Sequence, residues 1–284
     1  MLENEIKINQ LPMIGKIFKY EFISLARTLL PVFGALILIS AVAGFFLFTE
    51  DFFEGFDDNK MGMFFLLIPI VIIFICAVTI ITYLQLGRRF KKSMLGNEAY
   101  LNLTLPVSLW SHLFARIISA FVWLLIHMVV IIASIVLLYK NLWIYLYKEI
   151  SEEYTYADLV DLFFDYTGRS LNGTIALYCV ALIISLVYIA AFIYMVYSIG
   201  HLAKKHRVLV QFIVVVVALS AVNMVEGQFA TGLLLKGINE GMAEREIVDM
   251  LYNAFFVSTG CEGFFTLVFA AISYLILRFK LNLE

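Results

Sequence analysis

The run His201-Leu202-Ala203-Lys204-Lys205-His206-Arg207 brings two imidazoles closer together than anywhere else in the chain. Histidines four apart on a helix can share a metal ion, but these are five apart and accompanied by three cations. They read as a basic turn. Hydrolytic chemistry has no better foothold: HExxH and GxSxG are absent, and no apolar run holds two acidic residues. The one Gly-Lys dipeptide, Gly15-Lys16, continues to Ile17, where a phosphate-cradling loop requires Ser or Thr. The chain carries no catalytic motif and does not hydrolyse nucleotide by itself.

His127 is the one titratable side chain near the middle of an apolar run. An ionisable group there costs free energy and is by default a candidate for a substrate or proton path. The competing reading is a neutral imidazole bonded to a neighbouring helix, with Thr79 or Ser134 as its partner. Asp158, Asp161 and Asp165 fall on one helical face opposite Leu159, Phe163 and Phe164, a pattern that marks a solvated face more often than a metal site. Cys76, Cys179 and Cys261 lack CxxC or Cys/His spacing and read as small buried hydrophobes. Asn172-Gly173-Thr174 fits the glycosylation tripeptide, which also arises by chance.

Composition sets what must position these residues. Of 284 residues, 63% are hydrophobic and only 15% charged, against roughly 25% charged in soluble domains. No water-exposed fold hides that much apolar surface, so lipid is the solvent. Six apolar runs, about 29–48, 63–86, 117–139, 174–199, 207–225 and 260–277, each approach or exceed the roughly 17–25 residues that cross the hydrocarbon as a helix. With the first residues inside, cytoplasmic segments collect 14 of the 20 Lys and Arg and 5 of the 22 Asp and Glu. Cationic side chains translocate poorly. The expectation is therefore a single all-α membrane domain over 1–284, with six transmembrane helices and both termini cytoplasmic, multi-pass in the cell membrane.

Residues 12–28 predict an N-terminal amphipathic interfacial helix, because Ile14, Phe18, Phe22, Leu25 and Leu29 share a face that excludes Lys16, Lys19 and Arg27. The extracellular loops are expected to be helical. Residues 49–62 interleave Phe52, Phe53 and Phe56 with acids and should dip into the interface. Residues 140–173 carry Trp143, Tyr145 and Tyr147 as belt aromatics. Residues 226–259 contain a helix-like piece, about 241–256, that could re-enter the outer leaflet under a protein cover. Pro31 and Pro69 can kink the first two spans, while Ser40-xxx-Gly44 and Ala181-xxx-Ser185 allow close helix approach. The longest polar interruption of the first half is the cytoplasmic loop 87–111, with Arg88, Arg89, Lys91 and Lys92 abutting the second span. Such a loop can be a handle for a soluble partner.

Taken together, the chain resembles the membrane subunits of type-2 ABC exporters, the ABC-2 permease family. The resemblance is carried by Phe18-Lys19-Tyr20-Glu21-Phe22, by the six-span plan, and by Arg89-Phe90…Leu95-Gly96-Asn97-Glu98-Ala99-Tyr100-Leu101…Thr104-Leu105-Pro106-Val107. Ala99 stands where members usually have Gly, and Lys91 where an aromatic is frequent. The resemblance implies a homodimer or heterodimer of permeases in membrane lipid, docked on a separate cytoplasmic ABC ATPase that binds ATP and Mg; this chain would hold no cofactor and bind no nucleic acid. It implies that Phe90, Met94, Leu95, Glu98 and Tyr100 form an ATPase-coupling element, with Lys204 and Lys205 from the second inner loop. His127 and Pro69 are then candidates for the translocation path of a hydrophobic or amphipathic cargo (a peptide, lipid-like or drug-like molecule). Two other readings compete. One is an ATPase-independent transporter, which needs charged or broken spans at mid-membrane. The other is a non-transporting sensor or scaffold subunit that binds a peptide through its acidic outer loops.

Overall fold

The computed structural model describes residues 10–47, 58–96, 98–103, 107–240 and 244–279, and among them the regular structure is helical throughout. In chain order the helices are α1 (Gln10–Leu47), α2 (Asp58–Phe90, continued by a π-helical turn, Lys91–Leu95), α3 (Ala99–Leu103), α4 (Leu109–Leu138), α5 (Lys140–Glu153), α6 (Tyr156–Thr167), α7 (Leu171–Leu202), α8 (Arg207–Glu240) and α9 (Glu244–Phe279). Six of these, α1, α2, α4, α7, α8 and α9, are long and apolar enough to cross a membrane. The chain is a multi-pass, all-α membrane protein. The Phe52, Phe53 and Phe56 loop and the Leu105-Pro106 stop lie outside the described residues.

The structure corrects the separate interfacial helix at the N-terminus. Residues 12–28 run without a break into the first span as one helix of 38 residues, about 57 Å long at 1.5 Å per residue. Its buried stripe is Ile17, Glu21, Leu25, Leu29, Phe33 and Leu36, which packs into protein rather than headgroups. Pro31 removes one backbone donor without ending the helix. A second correction falls before the sixth span. The expected re-entrant piece is the first part of α9, a single helix of 36 residues that begins at Glu244 and includes the sixth span. The cysteines differ as well: Cys76 and Cys179 are exposed on the chain's surface and Cys261 is half-buried. Where lipid is the solvent, an apolar side chain gains nothing extra from facing inward.

Contacts at the two ends of the bundle show that successive spans alternate in direction. The start of α1, the end of α2, the start of α4 and the end of α7 meet through Glu21, Arg89, Arg116 and Tyr194. At that same end Trp110 of α4 stacks on Tyr274 of α9 at 4.1 Å between centroids, and Gly200 of α7 abuts Gln211 of α8. At the opposite end Arg169, in the link between α6 and α7, bonds Asp249 of α9. α1 packs most extensively on α4, and α7 on α9. Phe22 stacks on Trp123 at 4.8 Å and Phe90 on Tyr194 at 4.2 Å, tying these helix pairs into one core. α8 is the outlier: only 6% of its span is buried within the chain.

Close approach depends on two glycines. A Cβ at Gly44 would lie 2.3 Å from the Leu137 carbonyl oxygen, and one at Gly87 would lie 1.9 Å from the Tyr197 ring. Gly44 is the small residue of the Ser40-xxx-Gly44 pattern, so that pattern serves the α1–α4 contact inside the chain. Gly44→Ala must push backbone apart, which costs about 1–3 kcal/mol in a packed interior. Thermal unfolding in detergent should show a clear loss of stability for Gly44→Ala. Gly34→Ala, where a Cβ meets nothing within 4 Å, should show none.

Candidate functional site

At the basic end of the bundle, three cations and two carboxylates join elements that are distant in sequence. Glu21 on α1 is the centre. Its Oε2 accepts from Arg89 Nε at 2.6 Å, and its Oε1 lies 3.3 Å from Arg116 Nε. Arg89 reaches outward through Nη1 to Glu98 Oε2 at 3.1 Å, and Lys92 Nζ meets Glu98 Oε1 at 3.0 Å. Burial falls steeply along this chain: side-chain exposure is 2% at Arg116 and 6% at Glu21, but 35% at Glu98 and 66% at Lys92. A buried guanidinium and carboxylate persist together only if paired and hydrogen-bonded.

The remaining polar groups complete that requirement. Arg116 Nε also donates to Ser93 Oγ at 3.0 Å, and its Nη1 donates to the His112 carbonyl at 3.1 Å. Nη1 lies 3.4 Å from His112 Nδ1; a guanidinium has no lone pair, so Nδ1 is the acceptor and the ring proton sits on Nε2. That Nε2 is buried with no partner among the described residues. Tyr194 donates its hydroxyl to the Arg116 carbonyl at 3.0 Å, bringing α7 into the same layer.

The same layer shapes the loop that follows α2. After Phe90 the helix widens into a π-helical turn, and Gly96 ends it in extended backbone. The turn frees the Ser93 carbonyl to accept from Asn102 Nδ2 at 2.8 Å, which docks α3 against α2. Ala99 is 1% exposed, so its methyl fills space beneath α3 where a glycine would leave a gap. Tyr100 and Leu101 point the other way, 62% and 69% exposed.

Burial divides the residues expected to couple to a partner. Phe90, Met94 and Leu95 are buried, at 1%, 0% and 6% exposure. Within the chain their side chains form the base under α3 rather than its outer surface. Glu98 and Tyr100 do face outward. Lys204 and Lys205 are exposed in the turn between α7 and α8, which His206 closes at a positive φ of 56°. Glu21, Arg116, Ser93, His112 and Leu101 were missed. The signal for Glu21 was an acid four residues before Leu25 and eight before Leu29, on the apolar face of a basic helix.

Of the two readings of His127, the structure shows the contact with a neighbouring helix, through Thr79. His127 is buried between α1, α2 and α4, with Phe33 at 5.8 Å and Tyr83 at 6.3 Å between ring centroids. Its Nε2 lies 3.3 Å from Thr79 Oγ1, whose own proton goes to the Ile75 carbonyl at 2.8 Å. Nε2 therefore donates, and His127 joins two helices. Pro69 lies exposed on α2. Neither lines the cavity of about 510 Å³ between α2, α7 and α8, whose walls include Tyr83, Tyr188, Phe192, Tyr197 and Phe212.

The opposite end of the bundle carries a second set of polar contacts. Arg169 donates to Asp249 at 2.6 Å and lies 3.5 Å over the Tyr252 ring, pinning the end of α6 to α9. Thr155 and Asp158 form a reciprocal cap on α6, so Asp158 serves the helix terminus. Among the described residues no three His, Cys, Asp or Glu side chains are placed to hold a metal ion. The structure does bring two acids together across spans: the charges of Glu226 on α8 and Glu262 on α9 act on each other, and Ser258 and Ser185 bond to them. Runs read one at a time do not reveal such a pair. Searches of family models, of curated proteins and of solved structures each gave no match.

Two outcomes follow from the network. Glu21→Ala leaves Arg116 buried and unpaired, which should cost about 3–5 kcal/mol; Glu21→Leu with Arg116→Met should recover most of that loss in the same thermal unfolding assay. At Glu98, burial alone would raise the carboxyl's pKa, but the Lys92 hydrogen bond and the charges of Arg89 and Lys92 outweigh it and hold it below the usual value. A depressed folded-state pKa means the pairing contributes above the unfolded carboxylate's pKa and is lost as pH falls through the folded one. A nitroxide on Leu101→Cys should be restrained at neutral pH and low salt, and should gain mobility below the ordinary glutamate range and in high salt.

Proposed function

We propose that this chain is the membrane-spanning permease subunit of an ATP-driven exporter of the ABC-2 kind, with its basic end and both termini in the cytoplasm. It works with a second permease copy or paralogue and with a separate ATPase, which binds the ATP and Mg. The observation that carries the reading is α3: a short helix with Tyr100 and Leu101 exposed, braced by Arg89 and Glu98 onto buried Glu21 and Arg116. A free loop would absorb a push from a partner. A loop tied by charge-assisted bonds to the starts of α1 and α4 and the end of α2 passes displacement to three spans. Positive residues at that end favour the inward orientation. The cargo is hydrophobic or amphipathic, in keeping with the aromatic and aliphatic side chains that wall the cavity between α2, α7 and α8. ATP-driven motion moves cargo only if the two end states bind it differently.

A sensor reading draws on one observation of its own. The outer helix α6 is fastened to α9 by Arg169 and leaves Tyr156, Phe164 and Tyr166 exposed, a surface on which a peptide ligand can settle.

Co-expression with an ATPase of the ABC class and pull-down in detergent separates the readings. The permease reading expects a stable complex and ATP-dependent cargo movement in vesicles. Glu98→Ala with Tyr100→Ala should leave the chain inserted while reducing both complex formation and transport at least tenfold. Undiminished transport in that double variant would sink the assignment, and ATPase binding without cargo movement would favour the sensor.

A further inference from the structure

The charges at the basic end do not balance within the chain. Of the described acids there, Glu21 and Glu98 are both committed to the network. Arg88, Lys91, Lys204, Lys205 and Arg207 pair with no carboxylate among the described residues. Several of these cations gather at one place. Lys91 and Arg207 are near enough to His201 for their charges to act on its ring, and Arg88 is similarly close to Tyr197. His201 Nδ1 is buried there without a partner among the described residues.

Tyr197 also begins the wall of the cavity between α2, α7 and α8. Contacts of Gly87 with Tyr197 and of Gly200 with Gln211 draw the three helices together at this mouth. The cavity's volume of about 510 Å³ falls within the roughly 300–1,000 Å³ typical of small-molecule sites. Its wall on α8 extends from Val208 to Leu219, about 17 Å along the helix axis at 1.5 Å per residue. That is close to one half of a hydrocarbon core about 30 Å thick. Leu84, Val208, Phe212 and Leu219 are exposed along its open side, where the surroundings are lipid. Near Tyr188, at the end of the cavity away from Tyr197, the charges of Glu226 and Glu262 act on the lining, so an anionic group is favoured at the mouth and disfavoured at the far end.

We propose that this cavity holds an acyl chain of an anionic glycerophospholipid, whose phosphate rests against Arg88, Lys91 and Arg207. A zwitterionic choline headgroup would add a cation to an unbalanced cationic rim. An anionic one supplies the missing charge, and basic residues at the edge of a span attract such lipids. Binding in detergent depends neither on an ATPase nor on orientation, so this inference and the permease reading fail separately.

The test is native mass spectrometry of the purified chain with equal dioleoylphosphatidylglycerol and dioleoylphosphatidylcholine. The expected result is preferential retention of phosphatidylglycerol. Arg88→Gln, Lys91→Gln and Arg207→Gln together should erode the preference, by about fivefold per cation. Val215→Trp, which fills the cavity, should remove the adduct, while Lys140→Gln with Lys148→Gln at the other end should change nothing. Because a tryptophan can also disturb folding, a diazirine-bearing phosphatidylglycerol on the unmutated chain gives a second measurement: crosslinks within 188–197 and 208–219 support the site. Equal retention of both lipids, crosslinks elsewhere, or a chain dimer that covers α8 and carries no lipid would overturn it.

Discussion

A carboxylate and a guanidinium kept from water between apolar helices hold the basic end of this molecule together. Glu21 and Arg116 are 6% and 2% exposed, and a buried charge left without its partner is costly. Their pairing fixes α1 against α4 in register at one end, where the apolar surfaces alone would permit sliding. In lipid, burying a leucine between helices gains little over leaving it in the hydrocarbon. Polar contacts and close packing must then supply the specificity that water-driven burial provides elsewhere. Ser93, His112, Tyr194 and Arg89 each complete a bond to this pair or to its backbone, so four spans share one alignment layer.

The other alignment points follow the same logic. His127 joins α4 to α2 through Thr79, Gly44 seats α1 on the α4 backbone, and Ser185 on α7 donates to Glu262 on α9. Each is a local polar or steric contact set in an apolar surface. Aromatic stacks fill the space between, as with Phe22 on Trp123 and Phe90 on Tyr194. α8 has few such points, which accounts for its small buried fraction and leaves its long apolar face to lipid or to another chain.

The six spans were legible because crossing a bilayer demands a long apolar run, and composition alone reveals one. The partner of His127 was legible to within two residues, Thr79 and Ser134, because few polar side chains share its depth. Helix ends were less so. The sequence marks where polarity rises, as at Lys16 and Arg27, but helical backbone continues through such a boundary at no cost; α1, α8 and α9 all do so. The buried role of Phe90, Met94 and Leu95 was hidden for a different reason. A loop rich in charge reads as solvated throughout, whereas its apolar residues form a base that the ionic layer covers. Pairings across distant helices, Glu21 with Arg116 or Glu226 with Glu262, leave no trace in either run taken alone.

The gradient of burial along the network bears on how the loop after α2 would answer a proposed partner. Its outermost pair, Lys92 with Glu98, is half in solvent, and such pairs contribute about 0–1 kcal/mol and weaken with salt. Its innermost pair is costly to break. A partner that offers its own charges can therefore exchange with Glu98 or Lys92 at little cost while Glu21, Arg89 and Arg116 remain joined. The loop yields at its tip and stays anchored at its base. Were the gradient reversed, with the strong pair outside, docking would have to break the alignment of the spans before it could move them. The observed order lets a surface event load the helices without dismantling the layer that keeps them in register.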